Sequence, residues 1–339
     1  MSVLNQIRAS DKLFVLGNNE YTQQLIKLFP VHAIIDETVA DDTILGLPNV
    51  KLDSLDSDSC IINTVHNSRA NVVQARIESL GYTKCHFIGK VISAYPEAFS
   101  ETLLGQFQHA MRDDFQVLSQ MAEEFEDDRS KEEFLKILEF RRSLDIEYLR
   151  DFEVKIYEQY FEPFLIDIPF NTFIDGGAFD GQDSIRFAGF NPDYKKISIL
   201  EPSAENLIRV KERLKHLEHI EYINACLSSS RGKLGFSGEG TSSKIDKSSE
   251  ELVDVITLSD INTLGKTLVK MDIEGAEVET LTAVPQLLDN PDYGFAISSY
   301  HLPHDLLNIM RLMLDHRVDR KLYFRHYSGG YTESVIFAL

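Results

Sequence analysis

Two short runs, well separated along the chain, constrain its fold more than any other feature. Phe173-Ile174-Asp175-Gly176-Gly177-Ala178-Phe179-Asp180-Gly181 and Lys270-Met271-Asp272-Ile273-Glu274-Gly275-Ala276-Glu277 are each an apolar strand that ends on a carboxylate and then turns through glycine. In an open α/β sheet, ligands sit beyond the carboxyl ends of the strands. Two such ends in one segment predict a doubly wound sheet with a bound group and a reacting centre on one edge.

The segments between these runs supply further strand ends in the right order. Lys196-Ile-Ser-Ile-Leu200 is closed by Glu201-Pro202, and Ile220-Glu-Tyr-Ile223 by Asn224-Ala225. A glycine turn after the first strand exposes amides to a carboxylate or phosphate. An acid after the second strand accepts both ribose hydroxyls of an adenosine, and an amide after the third can read an adenine edge. Thr267–Met271, Gly294–Ser298 and Ser334–Ala338 extend the strand series, and Asn206–Leu217 and Ala276–Leu288 fill helical slots. The Gly/Ser/Lys-rich stretch from Gly232 to Glu251 reads as a mobile loop over the site.

The first segment, residues 1–95, also alternates strand and helix: Leu13–Leu16, His32–Ile35, Cys60–Ile62 and His86–Ile88, with helices at Tyr21–Phe29 and Val72–Leu80. A small parallel sheet follows. Gly17-Asn18-Asn19-Glu20 lies where a dinucleotide-binding turn belongs, but Asn19 and Thr22 replace its second and third glycines. Because the glycine requirement is steric, this is read as an accessory Rossmann-like domain without a dinucleotide. Residues 96–165 carry long acidic helical periodicity, with Ser130-Lys-Glu-Glu133 reading as a capping box. The division is thus an accessory domain at 1–95, an acidic helical connector at 96–165, and the main α/β domain at 166–339.

Composition narrows the function. A 339-residue chain that is 43% hydrophobic packs globular cores. Its formal net charge of −20 repels phosphate backbones, so nucleic acid is not expected as a partner. Cys60, Cys85 and Cys226 have neither zinc-site nor disulfide spacing. No apolar run is long enough for a membrane span, and a cytoplasmic protein is expected.

Together, Phe173–Gly181, Glu201-Pro202, Asn224-Ala-Cys-Leu-Ser228 and Lys270–Glu277 resemble the ordered motifs of the FkbM-type S-adenosylmethionine-dependent methyltransferases, over about residues 150–339. The resemblance implies a C-terminal Rossmann-like methyltransferase sheet and O-methylation of a hydroxyl on a sugar, glycan or related small metabolite. It assigns Asp175, Gly176, Gly177 and Gly181 to the methionine part of the cofactor, Glu201 and Pro202 to the ribose side, and Asn224 with Ala225 to the adenine. Lys270, Asp272, Glu274 and Glu277 form the second signature, where the methyl group meets its acceptor. Thr257-Leu258-Ser259 departs from the family's Thr-Leu-Asp, with Asp260 one place late.

Methyl transfer from a sulfonium needs the acceptor oxygen aligned and its proton removed. Candidates for the base are Asp272, Glu274 and His301, with His304 and His326 behind them; His301 follows the Gly294–Ser298 strand onto the same edge. Tyr300 and Arg325 are expected to contact the acceptor, Arg325 from an aromatic loop at Tyr323–Gly330. Asp272 and Glu274 have the oxygen chemistry of a divalent metal site, but two ligands do not make one, and no metal is assigned. The rival readings are a non-catalytic nucleotide-binding or scaffold protein with two Rossmann-like domains, and a nicotinamide oxidoreductase. The sequence leaves the oligomeric state open.

Overall fold

The computed structural model describes residues 3–237, 244–245, 252–316 and 319–339. The chain divides into two compact units: Met1–Gln120 with Glu132–Lys155 and Tyr327–Thr332, and Met121–Lys131 with Ile156–His326 and Glu333–Leu339.

The first unit is built on a four-stranded parallel sheet in the order Val31–Ile35, Leu13–Leu16, Cys60–Asn63, Cys85–Phe87. Val15, Ile34, Ile61 and Ile62 are fully buried, as expected of strands covered on both faces. At the first turn, Asn19 Oδ1 accepts from the amides of Tyr21 and Thr22, so a side chain of the chain itself takes the helix-start donors that a pyrophosphate would use. The Thr22 hydroxyl closes the turn further by donating to Gly17 O at 2.7 Å.

The second unit holds a seven-stranded sheet. Its order is Leu322–His326, Ser334–Ala338, Tyr293–Ser298, Thr267–Met271, Thr172–Gly176, Lys196–Leu200, Ile220–Ile223. The strands are parallel except Ser334–Ala338, which runs antiparallel to both of its neighbours. The chain winds outward from Thr172–Gly176 to the Ile220–Ile223 edge, then returns to lay Thr267–Met271 on the other side of its starting strand. That reversal makes the switch point between the two glycine-turn strands, in register from Thr267↔Thr172 to Met271↔Gly176.

Three expectations change. Ser130 does not cap a helix: the helix runs Asp128–Ser143, and Asp127 Oδ1 accepts from Ser130 N at 2.7 Å, so a carboxylate earlier in the acidic run performs the capping. The aromatic run from Tyr323 is a fully buried strand, Leu322–His326, rather than a loop. The Gly232–Glu251 stretch begins as the strand Gly232–Ser237, paired antiparallel with Leu252–Ile256; most of the remainder lies outside the described residues. A two-fold alternation with a glycine at every third place was too weak an apolar signal to mark Gly232–Ser237.

Candidate active site

The switch point opens on a cavity of about 500 Å³ whose walls all come from the second unit. Gly177, with φ +76°, forms its floor; a Cβ there would come within 1.9 Å of the Asp272 carbonyl oxygen. Only glycine permits the two strand-end turns to approach this closely.

On one side Glu201 closes its strand. Its Oε2 accepts from Phe179 N and its Oε1 from Ser203 N, both at 2.9 Å. Burial pushes its carboxyl above the usual range while those amides draw it back. Asn206 Nδ2 also donates to Oε1 at 3.4 Å, so the carboxylate is held rigidly at the cavity wall with a lone pair left on Oε2. Pro202, Ala225, Cys226 and Leu227 continue the same wall.

Under the floor lies a buried charge cluster. Lys270 Nζ donates to Asp175 Oδ1 at 3.1 Å and to Gly177 O at 2.8 Å, and sits 3.6 Å from Asp183 Oδ2. Burial works against the Lys270 charge, but Asp175, Asp183 and Asp272 outweigh it and hold the ammonium above its ordinary range. Asp175 is fully buried, its other oxygen accepting from the Ser184 hydroxyl at 2.7 Å; it braces the turn from below and does not line the cavity. Asp183 does line it. Burial pushes Asp183 up to about 7, with Lys270 opposing and Asp175 adding to the rise.

At the far end Asp272 gathers the other groups. Its Oδ2 accepts from the Tyr160 hydroxyl at 2.9 Å and its Oδ1 from the Tyr300 hydroxyl at 3.1 Å. Burial disfavours its charge, but His301 and Lys270 prevail and keep the carboxyl below its usual range. His301 packs behind it: Nε2 is 3.3 Å from Asp272 Oδ1 and 3.7 Å from Glu274 Oε2, and Nδ1 is 3.0 Å from Glu277 Oε1. Burial alone would discharge this ring, yet Glu277, Asp272 and Glu274 push it up to about 10. Surrounded by those three carboxylates the ring favours its protonated form, whereas a base there must be neutral.

Four residues of the cavity wall hold left-handed backbone without being glycine: Tyr160 (φ +70°), Phe179 (+47°), Glu274 (+57°) and Glu333 (+69°). Each such residue costs about 1–3 kcal/mol, a strain that gathers where side chains must be aimed at a ligand.

Of the residues singled out from sequence, Gly177, Glu201, Pro202, Ala225, Lys270, Asp272, Glu274 and Tyr300 line the cavity. Asp175, Gly176, Gly181 and Asn224 support it from outside. Asn224 Nδ2 donates to the carbonyls of Glu201 and Pro202 at 2.9 and 2.8 Å, which fixes the Glu201 turn. Arg325 is not on the wall: it is buried among Asp127, Glu162 and Ser130, because its segment is a sheet strand and not a loop. His326 is buried with Nδ1 2.8 Å from the Ser334 hydroxyl, and exposed His304 precedes the Asp305–Asp315 helix; neither lines the cavity. Asp260 joins Thr257 in a capping box. Tyr160, Asp183 and Glu333 were missed. Tyr160 precedes the first strand in a stretch without regular periodicity, where only its aromatic character offered a signal.

A reversing α/β sheet with its cavity at the reversal and an acid closing the second strand has the Rossmann-like methyltransferase fold. The chain is similar over 100% of its length, and over 94% of the other's, to the solved structure of methyltransferase FkbM from Methylobacillus flagellatus KT, with a TM-score of 0.78 and 19% identity. The likeness in fold thus extends beyond residues 150–339 to the whole chain. The O-methyltransferase TomG from Streptomyces achromogenes overlaps 52% of this chain and 75% of its own at 15% identity and a TM-score of 0.34. Precorrin-6y C5,15-methyltransferase from Geobacter metallireducens GS-15 overlaps 51% and 80% at 16% identity and a TM-score of 0.32. No protein-family model and no curated protein matches the chain. Among the described residues no helix is long and apolar enough to cross a membrane.

Proposed function

We propose that this chain is an S-adenosylmethionine-dependent O-methyltransferase acting on a hydroxyl of a sugar, glycan or related metabolite. In this reading residues 166–339 are the catalytic domain, 1–95 an accessory domain and 96–165 a connector. The observation that carries it is the switch-point cavity, with the held carboxylate of Glu201 on one wall and the Asp272–Tyr160–Tyr300 cluster on another.

The donor set suits the cofactor. Glu201 keeps a lone pair on Oε2 for a ribose hydroxyl, the Ala225–Leu227 segment offers backbone and apolar surface to an adenine, and Asp183 offers an anion to the methionine ammonium. When bound, the cofactor supplies a methyl group already activated on a sulfonium. The chain's own task is then alignment and proton transfer. Tyr160 and Tyr300 donate to Asp272 and orient its carboxylate, which accepts the hydrogen bond of the acceptor hydroxyl. Closing of the cavity by substrate excludes water and strengthens these interactions.

Titration calorimetry with S-adenosylhomocysteine tests the reading. The wild type should bind, and Glu201→Ala should weaken binding at least about 10-fold, the equivalent of one charge-assisted hydrogen bond. Absence of binding by the wild type, or unchanged affinity in the variant, rejects it.

A further inference from the structure

At the acceptor end of the cavity Asp272 accepts from the Tyr160 and Tyr300 hydroxyls, and the His301 ring packs behind it.

The same corner holds an unexplained arrangement. Three carboxylates, from Asp272, Glu274 and Glu277, converge on one imidazole at 3.3, 3.7 and 3.0 Å. Nδ1 of His301 is buried without an aligned hydrogen bond, despite its 3.0 Å distance from Glu277. Glu277 is fully buried, and while its Oε1 accepts from Ile273 N at 2.8 Å, its Oε2 has no partner. A buried carboxylate oxygen left unpartnered is costly and calls for a cation or donor. Lys270 does not supply one, since its ammonium is engaged by Asp175 and the Gly177 carbonyl.

Ligand atoms of Asp272, Glu277 and His301 lie within 4.8 Å of one another. We propose that these three residues form a binding site for a divalent cation that accepts mixed carboxylate and imidazole ligands, with Glu274 at its edge. The donor chemistry suits manganese or zinc better than calcium, which prefers an all-oxygen shell. With His301 neutral as a ligand, a dication balances most of the charge of three carboxylates. Three protein ligands leave coordination positions open to water or substrate. Asp272 lines the cavity while Glu277 is buried and His301 packs behind Asp272, so Asp272 is the ligand that links the site to the acceptor end of the cavity.

Binding of the ion stands independently; its role in catalysis rests on the methyltransferase reading. There a bound ion would supply positive charge beside Asp272 that polarises the acceptor oxygen and lowers its pKa. The oxygen–carbon bond forms as the carbon–sulfur bond breaks, and the hydroxyl proton passes to Glu274 or to water.

The test is a Mn²⁺ titration of the wild-type full chain, followed by the loss of the free-ion electron paramagnetic resonance signal. One Mn²⁺ per chain is expected. Asp272→Asn and His301→Gln should each weaken binding by at least the roughly 10–100-fold that even outer partners of a metal contribute. Circular dichroism establishes that each variant is folded, and should one fail to fold, the other decides. No bound Mn²⁺ on the wild type at millimolar concentration, or undiminished binding in a folded variant, overturns the site. S-adenosylhomocysteine calorimetry on the same sample separates the two ideas. Mn²⁺ bound without the nucleoside upholds the site and rejects the methyltransferase reading; the nucleoside bound without Mn²⁺ does the reverse.

Discussion

The Tyr160 hydroxyl donates to Asp272 Oδ2 at 2.9 Å across 112 positions of chain, and shares a 2.7 Å hydrogen bond with the Ser298 hydroxyl. This joins the stretch before the first strand of the sheet to the ends of two later strands. Tyr160→Phe keeps the ring and removes the donor. A hydrogen bond to a charged group contributes about 1.5–3 kcal/mol, so if the bond matters mainly in the transition state, kcat should fall about 10–100-fold. Affinity for S-adenosylhomocysteine should be unchanged. Equal loss in affinity would instead assign Tyr160 to cofactor binding.

Glu201 and Asn224 separate a contacting residue from a supporting one. The Asn224 amide holds the carbonyls on which the Glu201 turn depends, yet its side chain does not line the cavity. Asn224→Ala should lower stability by about 0.5–1.5 kcal/mol, the net worth of a hydrogen bond at an exposed site where water can replace the amide, as read by urea unfolding. Its loss of cofactor affinity should be smaller than that of Glu201→Ala. An Asn224→Ala protein of normal stability with the larger affinity loss would restore the direct adenine contact.

Asp183 predicts a pH dependence. Its carboxyl is pushed up to about 7, above its ordinary 3.8, so the folded state holds a proton that the unfolded chain has lost between those values. The stability it contributes is present below 3.8 and lost as pH rises through about 7. Ligand affinity moves the other way: an ammonium-bearing ligand binds the ionised form better, so S-adenosylhomocysteine should bind more tightly as pH rises through about 7. Asp183→Asn should flatten both trends. Calorimetry and thermal melts at pH 5.5, 7 and 8.5 check this, and an unchanged pH profile in the variant removes Asp183 from the site.

The strand-end logic was legible because it is local. Thr267–Met271 and Lys196–Leu200 are largely apolar runs closed by Asp272 and Glu201, and a run of that kind has few other ways to be buried. What a strand end looks toward was not local. Asp175 and Asp183 are eight positions apart and both acidic, yet the helix start after Gly181 aims Asp183 at the cavity while Asp175 turns under it toward Lys270 and Ser184. Arg325 was misread for a related reason: Tyr-Phe-Arg-His alternates too little to announce a strand, and both faces of Leu322–His326 are buried. The convergence on His301 joins the turn Asp272–Glu277 to the end of the next strand, a pairing across the sheet that no spacing rule encodes.

Arg325 carries the last prediction. Its guanidinium bonds Asp127 Oδ2 at 2.7 Å and Glu162 Oε2 at 3.2 Å while its own side chain is 5% exposed. Burial raises the Asp127 carboxyl, but hydrogen bonds from Arg325 and Ser130 outweigh it and bring it down to about 2. A depressed carboxyl stabilises the fold above its unfolded value of 3.8, and that contribution disappears as pH falls from there toward about 2. Arg325→Met leaves Glu162 buried with less compensation, and breaking such a pair costs about 3–5 kcal/mol. Urea unfolding at pH 7 should report that loss, and the acid limb between pH 4 and 2 should become shallower than in the wild type. The acceptor KM should not move. If KM rises while stability and the acid limb stay as they are, Arg325 contacts the acceptor after all, and its burial among Asp127 and Glu162 gives way when substrate binds.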